Sequence, residues 1–330
     1  MTAGWAPDGA GTPAEWQRAA RAFVSAIESG RLDLPLPGSG ATWGRWAAFA
    51  DLAEEDLSLA RLGEGHADSV AILAELGGPP PQPGSRWGVW AANPPGPNVT
   101  ATRQGGTWVL NGTKQYCSGA RVCTHALVTA RAGDCERLFA VTVEGLEPRE
   151  GSWPATGMAG SDTLDIGFPA VPAEQVGPPG GYTGRPGFSH GGAGVAACWY
   201  GGARGVARAL ARAATKRDVG PHALAHLGAV DIALRTTRVA LARAAAEIDA
   251  DPGDLGGEGA LRALRVRALA EATATDVLAR TGRALGAGPL SHDEAHSRAV
   301  ADLTVYLRQH HAERDLARLG ELVAEQGATW

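Results

Sequence analysis

The spacing of apolar positions divides the chain into a helical start, a β-rich middle and a long helical end. Residues 13–30 read PAEWQRAARAFVSAIESG, where Trp16, Ala19, Ala20, Phe23 and Ile27 form a stripe at helical spacing and Pro13 suits a first turn. A second helical region is predicted over 41–76, interrupted at Gly63 and Gly65, and GGPPPQPG at 77–84 stops it. From there to about residue 180 the runs are short and β-type: Trp87–Ala91, Thr107–Leu110, Ala126–Ala130, Leu138–Val143 and Leu164–Phe168. Asn111-Gly112 after the second run predicts a hairpin turn. Helical spacing then returns over 190–217, 221–250, 257–284 and 293–325. Four long helices with short connections predict an antiparallel bundle.

The expected architecture is therefore α+β. An N-terminal helical domain (1–80, with a disordered lead at 1–12) precedes an antiparallel β-barrel (81–182) and a C-terminal four-helix bundle (183–330).

Composition narrows the function classes. Of 330 residues, 44% are hydrophobic, enough for a normal core, and the formal charge of −5 with no basic stripe speaks against nucleic acid. The four cysteines, at 117, 123, 135 and 198, contain no CxxC pair and no secreted disulfide spacing, which favours a reducing cytoplasm. No signal peptide is read at the start, and no apolar run approaches the roughly 18 residues a membrane helix needs.

His292 and His296 stand at i, i+4 around Asp293 and Glu294. That spacing suits a metal on one helical face, but the glutamate of a metallohydrolase motif is missing directly after the first histidine, and the acids equally suit a helix start. No metal is assigned. GGAG at 191–194 and GAG at 286–288 lack the strand-turn-helix setting of a dinucleotide site.

Four blocks resemble the acyl-CoA dehydrogenase superfamily of flavoproteins: TWVLNGTKQYCSGA at 107–120, GMAGSDTLDIGFPAVPAEQVGPPG at 157–180, the first two bundle helices at 187–228, and the tail GAGPLSHDEAHSRAVADLTVYLRQHHAERDLARLG at 286–320. The resemblance implies a flavin, FAD or else FMN, between barrel and bundle. It places Tyr116, Cys117 and Ser118 at the strand end beside the flavin ring, with Trp90 and Ala91 on a neighbouring strand. It places Lys216 and Arg217 where a cation reaches the cofactor pyrophosphate across a subunit interface, Arg308 near the cofactor, and His310 where many members carry the catalytic glutamate. By spacing alone, Tyr116–Ser118 also continue an alternating strand, and Lys216 and Arg217 also suit the negative end of a helix dipole. On one continuous helix, Leu303, Tyr306 and His310 would share a face, while His311 would turn toward Arg308, Arg314 and Asp315.

The chain also departs from the pattern. The glutamate is replaced by His310, and the alternative base position on the first bundle helix falls near Val195. The loop 92–98, ANPPGPN, lacks the usual acidic residue and Ser-Asp pair and predicts a rigid turn with fewer polar contacts. The N-terminal helical part is short for the family.

The resemblance thus implies oxidation of an acyl thioester or a similarly activated small molecule, with His310 as base and an electron acceptor as partner. A two-component flavin monooxygenase fed by a flavin reductase is the alternative. A degenerate subunit paired with an active homologue is a third reading. Assembly as a homodimer or homotetramer through the bundle is expected.

Overall fold

The computed structural model describes residues 14–96, 98–216 and 218–327. The lead at 1–12 and Arg217 lie outside them.

Three helices come first: α1 (Glu15–Glu28), α2 (Thr42–Glu55) and α3 (Leu57–Leu76). The predicted 41–76 helix breaks at Asp56, not at Gly63 and Gly65. Asp56 is extended, and its carboxylate accepts the Leu59 N–H at 3.0 Å, capping α3. Gly63 stays helical and lets Leu32 and Leu52 pack against the bare backbone, where a Cβ would meet them at 3.1 and 3.3 Å.

Seven strands follow: β1 (Trp87–Trp90), β2 (Thr100–Gln104), β3 (Thr107–Cys117), β4 (His125–Ala132), β5 (Cys135–Thr142), β6 (Pro148–Arg149) and β7 (Leu164–Val176). Pairing runs β4-β2-β3-β7-β5 and back to β4, which closes a barrel around Leu110, Val128, Phe139 and Ile166. The barrel is mixed rather than antiparallel, because β1 and β2 run parallel to β4. The 91–99 loop carries the chain from β1 to β2 without reversing it, and β4 comes after two further reversals.

The hairpin turn between β2 and β3 is Gly105-Gly106, both at positive φ. Asn111 and Gly112 instead form an irregularity inside β3, where the Asn111 side chain accepts the Ala170 N–H at 3.1 Å. The 92–98 loop is richly bonded: Asn93 Oδ1 accepts from Asn98 Nδ2 at 2.8 Å and from the buried Lys114 Nζ at 2.8 Å.

The helical end comprises a short α4 (Gly181–Gly184), α5 (Pro186–Lys216), α6 (Gly220–Ala250), α7 (Gly259–Leu285), a short α8 (Gly288–His292), α9 (Glu294–Tyr306) and α10 (Glu313–Gln326). Small residues bring α5 close to its neighbours. A Cβ on Gly201 would sit 2.1 Å from the Ala50 carbonyl oxygen, and one on Gly202 would strike Leu57 and Leu303.

The fourth long helix is not continuous. A 3-10 turn (Leu307–Gln309) ends α9, His310 is extended, and Ala312 has φ 49°. His310 therefore does not share a helix face with Leu303 and Tyr306. Segments 307–313 contain neither Pro nor Gly; the break is held from outside, by Arg267 on the Gln309 carbonyl and by Asp315 on the His311 N–H. His292 and His296 are likewise separated, since Asp293 caps α9 between them. Among the described residues no group of three or more His, Cys, Asp or Glu is placed to hold a metal ion, and no helix is long and apolar enough to cross a membrane.

Candidate active site

The end of β3 builds the barrel side of the site. The register slips between Lys114 and Cys117, and Tyr116 takes φ 60°, so its ring leaves the sheet, 49% exposed, and meets Trp153 edge-on at 6.3 Å. Cys117 turns the other way, into the barrel, and burial pushes its thiol pKa up. Ser118 is buried. Its carbonyl accepts from Trp90 Nε1 at 3.0 Å, and its hydroxyl lies 2.9 Å from Thr163 Oγ1. Ala91, half-buried beside Trp90, accepts from Thr129 Oγ1 at 3.3 Å.

Met158 and Asp162 also have positive φ, so three non-glycine residues here adopt a disfavoured backbone. The nearby Gly157 and Gly160 serve close approach instead: a Cβ on Gly157 would lie 2.3 Å from the Ala301 carbonyl oxygen of α9. Asp162 bonds the Arg121 N–H and guanidinium, yet burial keeps its pKa raised.

The bundle side centres on Trp199 of α5. Its ring meets Tyr306 and His310 edge-to-face at 6.4 and 6.3 Å, and Arg267 covers it at 4.7 Å. Among the described residues Trp199 Nε1 and His310 Nε2 are buried without hydrogen-bond partners, and the Asp315 carboxylate lies 3.9 Å from His310 Nε2. His310 Nδ1 accepts the Ala312 N–H at 3.2 Å, so in the neutral ring Nε2 carries the proton. Burial lowers the His310 pKa, with Asp315 and Glu271 opposing, which favours that neutral ring.

A buried charge row on α3 lies between the two sides. Arg61 donates to Glu64 at 2.6 Å, and Arg45 of α2 donates to Asp68 at 2.8 Å. Burial pushes Glu64 up to about 7, with Arg61 opposing and Asp68 reinforcing. Arg61 and Glu64 are within electrostatic reach of Tyr306 and Cys198, and Arg61 also of Cys123 beside the Ser118 loop. His66 of α3 takes the Trp87 N–H on Nδ1 at 3.2 Å, which ties α3 to β1.

The expected site residues are thus partly assembled. Trp90, Ala91, Tyr116 and Ser118 lie together on the barrel. His310 belongs to the bundle core, and among the described residues no hydrogen bond or ring contact joins it directly to them. Arg308 is exposed, pairs with Glu271 at 2.9 Å and lines an open apolar groove of about 590 Å³ with Leu278, Val305 and Leu307. Lys216 is exposed at the far end of α5, roughly 36 Å along the helix from Gly192, where Arg267 bonds. Arg61, Glu64, His66, Asp68, Trp199 and Arg267 were not anticipated. The signal was present: Arg61, Glu64 and Asp68 stand at i, i+3 and i+7 in an otherwise apolar helix.

No family model matches the sequence, and no curated protein matches it either. Solved structures do match along nearly their whole length. KijD3 in complex with FMN and a dTDP-amino-keto sugar superposes with TM-score 0.77 at 17% identity over 96% of this chain and 92% of its own. The chain has the acyl-CoA dehydrogenase fold. The methanesulfinate monooxygenase MsuC from Pseudomonas fluorescens gives 0.75 at 18% identity over 97% and 99%. TdsC from Paenibacillus sp. A11-2, with FMN and indole, gives 0.74 at 17% identity over 94% and 96%.

Proposed function

We propose that this chain is a flavin-dependent monooxygenase that uses reduced FMN, delivered by a separate flavin reductase, to oxygenate a compact polar substrate. The observation that carries this reading is the hydrogen-bonding state of His310. A dehydrogenase needs an imidazole lone pair to take an α-proton. Here the Nδ1 lone pair is engaged by Ala312, and Nε2 bears the proton, so the neutral ring is a donor. A buried donor suits protonation of a developing oxygen anion, the demand of oxygen transfer.

The barrel residues fit a flavin. The outward Tyr116 ring offers an apolar shelf beside Trp153, and the Ser118 hydroxyl is fixed through Thr163. Trp90 anchors the Ser118 main chain from the adjacent strand. When bound and reduced, the flavin would supply activation of dioxygen. On the protein side Trp153 packs edge-on against Tyr116, and His310 holds the proton at Nε2.

The α3 charge row speaks for a polar substrate over a fatty acyl chain. Arg61, Glu64, Asp68 and Tyr306 put ionisable groups where α3, α5 and α9 face each other, and a fatty acyl chain laid against them would meet buried charges with no hydrogen-bonding group of its own to offer. The named neighbours TdsC and MsuC are monooxygenases, which favours the same chemistry. We also propose assembly as a homodimer or homotetramer through the bundle, since Leu224, Ile232 and Val239 are exposed along α6.

The test is oxygen uptake by the purified chain with a flavin reductase, NADH and FMN, against panels of small organosulfur, phenolic and amine compounds. Substrate-dependent, product-coupled uptake supports the reading. Anaerobic bleaching of bound flavin by an acyl-CoA would overturn it in favour of dehydrogenation.

A further inference from the structure

Arg267 of α7 touches the structures that set the His310 imidazole. Nη1 donates to the Gly192 carbonyl of α5 at 3.0 Å, and Nη2 donates to the Gln309 carbonyl at 2.8 Å. Its guanidinium lies 4.7 Å from the centroid of the Trp199 ring, and that ring meets His310 edge-to-face. Gln309 closes the 3-10 turn, so its carbonyl lies at a helix end that must find partners elsewhere. Three residues later Ala312 holds φ 49° and ψ −122°, a backbone conformation disfavoured for any residue with a side chain. Such a break needs an outside hold.

We propose that Arg267 is a positioning residue: by tying Gln309 to Gly192 and covering Trp199, it keeps His310 oriented with Nδ1 on the Ala312 amide and Nε2–H as the donor. The inference rests on the donor role given to His310 above, but it is read in the ring itself. Lysine cannot replace this arrangement, because one ammonium cannot reach both carbonyls and also stack flat on an indole. The charged and titratable groups that face His310 are Asp315, Glu271, Arg267 and His311. Arg267 opposes protonation of the ring, so its loss should raise the His310 pKa, whereas lysine retains the charge and isolates geometry.

The experiment is long-range proton–nitrogen NMR of the full chain with ¹⁵N-labelled histidine, His310 being assigned with His310→Gln. Wild type should give a single Nε2–H tautomer. Arg267→Lys should mix the tautomers while keeping a cooperative thermal transition, and Arg267→Met should also shift the His310 titration upward. A mixed wild-type signal, or a pure wild-type tautomer in both variants, overturns the proposal. If neither variant folds, ¹⁵N-arginine spectra of wild type decide: distinct, slowly exchanging Nη signals for Arg267 support the bracket, and a single averaged signal overturns it. A pure tautomer without flavin-dependent oxygen uptake would sink the monooxygenase reading and leave the Arg267 role standing.

Discussion

The Asp302 carboxylate of α9 accepts the backbone N–H of Met158, and this bond joins the bundle to the turn that leads into β7. Asp302 is only 3% exposed, and burial pushes its pKa up to about 7. The folded chain thus holds this proton more tightly than the unfolded chain, whose carboxyl titrates near 3.9. The stability it contributes is full below about pH 4 and is lost as pH rises through about 7. Asp302→Asn keeps an acceptor for Met158 and removes the ionisation. Urea melts should find the variant gaining roughly 2–3 kcal/mol on wild type between pH 5 and pH 8. An unchanged difference at the two pH values would refute the assignment.

Tyr116 separates stability from binding. Its ring is half-exposed and its φ is 60°, so Tyr116→Gly removes about 1 kcal/mol of strain and loses an edge contact of similar size. Thermal stability should stay close to wild type. FMN affinity, followed by fluorescence quenching, should fall about tenfold or more as the shelf is lost. A variant that binds FMN as wild type does would place the flavin elsewhere.

How far the sequence could be read differs between elements. The order of helices, β-rich middle and helices was legible because each segment's apolar period is strong, and α5, α6 and α7 fall within a few residues of expectation. The break at His310 was not legible. Residues 307–313 have good helical propensity, and what ends α9 is a set of contacts from Arg267 and Asp315, distant from or beyond the break. The Asn111-Gly112 signal was real but was used for an irregularity within β3, while two adjacent glycines took the turn. Tyr116 and Ser118 stand out as candidates only through resemblance, since alternation alone puts both on the same side and says nothing of the positive φ at 116. The α3 charges stand at i, i+3 and i+7, but that shared face exists only if the helix runs on through Gly63 and Gly65, as it does in the fold.

His66 makes the fold sensitive to acid. Burial lowers its pKa to about 4, with Asp33 opposing and Arg45 reinforcing. The unfolded chain takes up a proton near 6.5, so stability is present above that value and is lost as pH falls toward 4. This share is on the order of 3 kcal/mol. His66→Gln leaves an acceptor for the Trp87 N–H and should flatten the acid limb of the stability profile by about that amount. His310, His296 and His125 are shifted in the same direction, so part of the slope should remain. A slope unaltered by the substitution would show that His66 is protonated in the folded chain.

The contact between α2 and α5 depends on a missing side chain. A Cβ on Gly201 would fall 2.1 Å from the Ala50 carbonyl oxygen, which is main chain and cannot swing aside. Gly201→Ala must therefore separate the two helices, disturbing the core around Trp46, Phe49 and Trp199 at a cost of about 2–4 kcal/mol. Gly320, exposed in the middle of α10, gives the contrast, because among the described residues nothing lies within 4 Å of its added Cβ. Gly320→Ala should stabilise by about 0.5–1 kcal/mol through helix propensity alone. Thermal melts of the two variants should move in opposite directions. If Gly201→Ala melted with wild type, α2 and α5 would have to lie farther apart than described.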